Sequence, residues 1–116
     1  MHRVAGSADY LSEHMAEAPA LVIGCNEAAD RQTAQRGMGN ILPAMWSFML
    51  AARARSLGTA WTTLHLPYER EVGEVLGIPY DTVAQAVMTP VAFTKGTDFK
   101  PAPRPDPDEV IRWDRW

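Results

Sequence analysis

The chain has 116 residues and a formal charge of −3, which bounds it at about one domain and gives no field of the kind that attracts nucleic acid. Its 47% hydrophobic content, with nine prolines and eight glycines, belongs to a folded protein and not a disordered one. No apolar run nears the ~20 residues of a membrane span, and Met1–Gly6 leads into no apolar signal-peptide core, while the single cysteine, Cys25, suits a reducing, cytoplasmic setting.

Ser7 is placed to cap a first helix over roughly Ala8 to Glu17, its oxygen accepting an otherwise unpaired backbone N–H. Tyr10, Leu11, His14 and Met15 recur at helical spacing and give that helix one modest apolar face. Pro19 stops it, because the residue before a proline is pushed out of helical backbone space. Ala20-Leu21-Val22-Ile23-Gly24-Cys25 follows, short, continuous and rich in branched residues, the pattern of a buried strand. The polar, charged and glycine-bearing stretch from Asn26 to Gly39 reads as a loop.

Asn40 is placed as the cap of the main helix, Ile41 to about Ser56. Pro43 falls in its first turn, where an absent N–H has no intrahelical partner to lose. Ile41, Met45, Phe48, Met49 and Ala52 form one apolar face, and Leu42, Trp46 and Leu50 a second. A helix apolar on nearly every side has to be buried on every side. A chain this short has little to bury it with, so the pattern implies packing against another chain. Arg53 and Arg55 stand near its C-terminal end, where cations suit the helix dipole. Gly58 is the expected stop, with a strand over Thr59 to Thr63 beyond it.

The helix Glu69 to Leu76 ends at Gly77 with Pro79 just past it. Thr82 to Thr94 reads as a strand partly buried on both faces, in which Pro90 marks a bulge or an edge. From Lys95 onward the chain is rich in proline and charge, and the four prolines from Pro101 to Pro107 give an extended arm without a core. The arm closes on Val110-Ile111-Arg112-Trp113-Asp114-Arg115-Trp116. Two tryptophans left in water are unfavourable enough that the arm is expected to dock on a partner subunit. No internal repeat is present.

Two stretches carry a resemblance. Leu57-Gly58-Thr59-Ala60-Trp61-Thr62-Thr63-Leu64 leaves an apolar helix through a glycine and enters a short apolar strand. The charged helix Glu69-Arg70-Glu71-Val72-Gly73-Glu74-Val75-Leu76-Gly77-Ile78-Pro79 follows directly. That order resembles the C-terminal half of the nitroreductase family, FMN-dependent oxidoreductases that include the iodotyrosine deiodinases. The resemblance implies an α+β, nitroreductase-like fold over residues 1–116, a central mixed sheet with flanking helices, with 95–116 as a C-terminal arm. The family's arginine-rich N-terminal signature and its Pro-Ser ring-contacting segment have no counterpart, Arg3 being the only arginine before Arg31. The N-terminal part of the family fold is therefore expected to be missing.

The resemblance further implies FMN as cofactor and a homodimer with two sites along the shared interface. Its chemistry is ping-pong hydride transfer from NAD(P)H through the flavin to nitroaromatic, quinone or similar electrophilic acceptors. The missing N-terminal signature keeps a second expectation beside it, a non-catalytic dimerising module that has lost the flavin site or forms half of it.

FMN requires a partner for a dianionic phosphate, and donors and apolar packing for a flat ring. Thr62, Thr63 and Leu64 match the place where family members press backbone against the ring; the alternative is a plain strand end. Arg104 matches the C-terminal basic residue that reaches the phosphate, with Lys100 a second candidate; the alternative is a solvated arm. The flavin does the electron chemistry, so no protein acid or base is nominated. Gly37-Met38-Gly39-Asn40 could cradle a phosphate at a helix N-terminus, yet it lacks a third glycine and a preceding strand, which favours a flexible approach to the helix. By resemblance Ile41, Leu42 and Pro43 would help form the dimer interface. His65 either touches flavin or substrate, or is structural. Cys25 is expected to be buried and inert. The histidines have no zinc-ligand spacing, Asp106-Pro107-Asp108 lacks the glycine and glutamate of a calcium loop, and no serine lies in a nucleophile elbow.

Overall fold

The computed structural model describes residues 2–96 and 98–116; Met1, at the head of the Met1–Gly6 segment, and Thr97, in the arm, lie outside the described residues. The order of elements is α1 (His2–His14), β1 (Ala20–Glu27), α2 (Arg31–Arg36), α3 (Ile41–Arg53), β2 (Leu57–Thr59), α4 (Glu69–Leu76), β3 (Val83–Phe93) and a single turn, α5 (Pro107–Val110). Short 3₁₀ turns at Met15–Glu17, Gly37–Asn40 and Leu66–Tyr68 link them.

β3 is the central strand of a three-stranded sheet of order β1-β3-β2, and both of its pairings are antiparallel. The mixed sheet expected from the sequence is thus an antiparallel one among the described residues, because β1 and β2 each run against the same long strand. Val83 to Thr89 of β3 are buried without interruption, as suits a middle strand covered on both faces.

Pro90 sits in this central strand, not at an edge, and the bulge of β3 falls elsewhere, at Ala86, opposite the step from Gly24 to Cys25 of β1. The amide phase explains how a proline is tolerated there. Met88 exchanges both backbone bonds with Thr62, each at 2.9 Å, and the Thr94 N–H donates to the Ser56 carbonyl at 3.3 Å. Alternate residues turn their amides the same way, so the N–H that Pro90 lacks falls on the β2 side. There the ladder is interrupted between the Thr59–Val91 pair and the isolated Thr62–Met88 bridge.

The core lies where α3 crosses the sheet. Met45, Ala86 and Val87 are buried, with Val22, Met38, Ile41 and Phe48 packed on them. Gly24 makes this approach possible, since a Cβ there would come within 2.7 Å of both Ile41 Cγ2 and Met45 Cγ. The side chains of Leu21 and Ile23, on the alternate face of β1, turn toward Val72, Val75 and Leu76 of α4. β1 is therefore an edge strand with exposed positions and not a fully buried one.

Several boundaries differ from the sequence reading. Ser7 lies inside α1, which starts at His2, so its hydroxyl caps nothing. The stretch read as a loop holds α2, capped by Asp30, whose carboxylate accepts the Thr33 N–H and the Thr33 hydroxyl, each at 2.9 Å. Asn40 has helical backbone angles and makes no side-chain cap bond, because the preceding 3₁₀ turn already feeds α3. α3 ends at Arg53, and the chain reverses through Ser56 at φ 62°. Gly58 is consequently a strand residue, paired with Ala92. The strand expected over Thr59–Thr63 is Leu57–Thr59 plus the bridge at Thr62. α4 matches its expected limits, with Gly77 in the left-handed region at φ 71° and the Ile78 N–H closing on the Gly73 carbonyl at 2.8 Å.

Candidate functional site

Three segments remote in sequence wall a cavity of about 1140 Å³. Ser7, Ala8 and Leu11 come from one face of α1, Ala60 to Leu64 from the chain just after β2, and Lys100 to Arg104 from the arm. All of the residues singled out from the sequence as flavin contacts, Thr62, Thr63, Leu64, Arg104 and the secondary candidate Lys100, line this one space. Ser7, Ala8, Leu11 and Trp61 were not anticipated there. The i, i+1, i+4 spacing of Ser7, Ala8 and Leu11 on α1 is legible in the sequence, but the space it faces is defined only by the tertiary fold.

The backbone of the 60–64 segment divides into amides that face inward and amides left over. The Ala60 N–H donates to Thr89 Oγ1 at 2.9 Å, the Thr62 N–H to the Met88 carbonyl at 2.9 Å, and the Leu64 N–H to Thr62 Oγ1 at 3.3 Å. Thr62 is itself buried, so its hydroxyl belongs to the turn. Thr63 has a different position. Its carbonyl accepts from the Leu66 N–H at 3.0 Å, while its amide and hydroxyl have no partner among the described residues and the side chain is exposed. Of the three residues, Thr63 is the one with donors free for a ligand.

The charge of the cavity departs from that of the chain. The chain is net negative, yet the cavity lining contains Lys100 and Arg104 and not one carboxylate. Neither cation takes part in an ion pair among the described residues, where the pairs are His14–Glu17 and Arg31–Glu69. The lining also contains the apolar side chains of Leu11, Trp61 and Leu64. The arm is fastened at its root by the Arg53 guanidinium, 4.5 Å from the centre of the Phe99 ring.

A polar knot joins α2 and α4 to β3. The Glu69 carboxylate accepts from Arg31 Nη2 and, at 2.6 Å, from the Gln85 N–H, and the Glu69 carbonyl accepts from Gln85 Nε2 at 3.0 Å. Arg31 Nη1 donates to the Val83 carbonyl at 2.6 Å. Tyr80 lies between two guanidinium groups, with Arg31 and Arg70 each 4.0 Å from its ring centre. His65 does not line the cavity. Its two ring nitrogens are buried with no hydrogen-bond partner among the described residues, and burial lowers its pKa below the usual 6.5 against a smaller opposing pull from Glu69. Cys25 is partly buried, its thiol pKa raised by burial and by Glu69, which makes it a poor nucleophile.

A second concavity of about 420 Å³, walled by Leu21, Ile23, Val72, Val75, Leu76 and Met88 with Glu71 at its rim, offers a phosphate no cation. Among the described residues no group of three or more His, Cys, Asp or Glu side chains is placed to hold a metal ion. No helix among them is long and apolar enough to cross a membrane.

The donor set of the larger cavity fits flavin mononucleotide: the unpaired Arg104 guanidinium for a phosphate, a free amide and hydroxyl for a ring edge, and apolar side chains for a ring face. The fold is α+β, helices around a small antiparallel sheet. The profile of the nitroreductase family matches residues 2–91, and the chain belongs to that family. The match takes in α1, the 60–64 segment and the whole sheet as far as Val91, whereas Lys100 and Arg104 lie beyond it. Neither a curated protein nor a solved structure matches the chain.

Proposed function

We propose that the protein is an FMN-dependent oxidoreductase of nitroreductase type, working as a cytoplasmic homodimer. The observation that carries this reading is the convergence of Thr63 and Arg104 on one cavity in a chain of the nitroreductase family. Arg104 would hold the phosphate, its planar fork matching the phosphate oxygens with two donors at once. Thr63, through its unpaired N–H and hydroxyl, would hold a polar edge of the ring, and its fixed dipole would stabilise negative charge developing there without the reorganisation that water needs. Leu11, Trp61 and Leu64 would pack against the ring and keep water from it. When bound, FMN supplies a two-electron carrier between reduced nicotinamide and an electrophilic acceptor such as a nitroaromatic or quinone. The chain's own part is binding, orientation and exclusion of water, with no protein acid or base required.

The dimer is supported by the outer face of α3, where Leu42, Trp46 and Leu50 form an exposed stripe at four-residue spacing. The tail adds Trp113, 81% exposed, and the fully exposed Trp116. Adding FMN and NADPH or NADH to the purified chain, with a nitroaromatic or quinone acceptor, tests the proposal. Saturable flavin uptake with acceptor-dependent nicotinamide oxidation is expected. A folded dimer that takes up no FMN would instead make the protein a non-catalytic dimerising module.

A further inference from the structure

Two cations and no acid line the cavity, and one phosphate does not need both. Lys100 and Arg104 are separated by Pro101-Ala102-Pro103 in a stretch without helix or strand. At the polyproline rise of ~3.1 Å per residue their Cα atoms stand about 12 Å apart. A guanidinium by itself can satisfy two phosphate oxygens. The cavity is also large: about 1140 Å³ exceeds the roughly 300–1,000 Å³ usual for a site holding one ligand of drug size. The lining also includes the Ser7 side chain, which the flavin reading does not use.

We propose that Lys100 anchors a second ligand in this cavity, a small aromatic electron acceptor carrying a carboxylate. The inference builds on the assignment of Arg104 to the FMN phosphate and adds the class of acceptor. A cation with no internal partner gains from an anionic ligand what it cannot gain from a neutral one of the same shape. The lack of any lining carboxylate means that no internal acid competes for Lys100, and it disfavours cationic acceptors.

Isothermal titration of the full chain, with and without FMN, against 4-nitrobenzoate and its uncharged methyl ester tests the assignment. The wild-type chain is expected to bind the acid about fivefold more tightly than the ester, the scale of one partly exposed ion pair. Lys100→Gln is expected to erase that preference while leaving FMN affinity within about twofold. Equal binding of acid and ester by the wild type overturns the proposal. So does a Lys100→Gln variant that loses FMN affinity as severely as Arg104→Gln, since both cations would then belong to the phosphate. If FMN fails to bind while the Lys100-dependent preference persists, the flavin reading falls and the carboxylate site stands.

Discussion

Glu69 is the residue on which α2, α4 and β3 meet. Its side chain is 13% exposed, and it neutralises Arg31 while accepting the Gln85 amide. Removing one member of a buried pair leaves the other uncompensated, so Glu69→Ala is expected to cost about 3 kcal/mol; urea unfolding measures it, and a change under about 1 kcal/mol would show the pair to be replaceable by water. The sequence placed Glu69 at the head of a helix but could not name its partner, because Arg31 stood in a stretch read as a loop. His65 gives a pH signature. Its folded pKa lies below the usual 6.5 because burial disfavours the imidazolium, so the unfolded chain takes up the proton first as pH falls. Stability contributed by neutral His65 is full above about pH 6.5 and declines through the window beneath it. His65→Asn is expected to flatten that decline in urea midpoints measured across the same window, and parallel profiles for the two proteins would remove His65 as its source.

Elements were legible where glycine and proline chemistry is local. α4 needs Gly77 at φ 71°, a conformation that an L side chain resists by about 1 kcal/mol. Gly77→Ala is therefore expected to lower stability by about that amount in thermal or urea unfolding; an unchanged midpoint would mean the C-terminal turn of α4 rearranges freely. Elements were misread where the deciding contact is tertiary. Pro90 suggested an edge or bulge, and only the pairing phase with Thr62 shows that its missing donor faces a gap already present in the ladder. Gly58 suggested a helix stop, while the reversal is made at Ser56. The cap at Asp30 was a readable local signal, masked by the glycines and charges around it.

At the scale of the whole molecule, α3 turns one apolar face to the sheet and leaves another uncovered, with Trp46 58% and Leu50 55% exposed. The expectation that α3 has no room to be buried within one chain follows from those residues alone. Trp46→Asp is expected to shift the mass measured by light scattering from dimer to monomer, and a wild-type chain that is already a stable monomer would refute the interface. The cavity is a property of the same scale. The resemblance named Thr62, Thr63, Leu64 and Arg104, which line one cavity, but it could not tell that the sheet and the turn consume the Thr62 and Leu64 amides. Nor could it reveal that α1 supplies a wall.

The central claim, that Arg104 holds a flavin phosphate across the cavity from Thr63, is tested most directly by comparing FMN with riboflavin, which lacks only that phosphate. Fluorescence titration of the wild-type chain is expected to give FMN at least tenfold tighter binding than riboflavin, the order of a charge-assisted bidentate contact. In Arg104→Gln the two ligands are expected to bind alike, at the riboflavin affinity. Equal affinities in the wild type, or an FMN preference untouched by Arg104→Gln, would contradict the account.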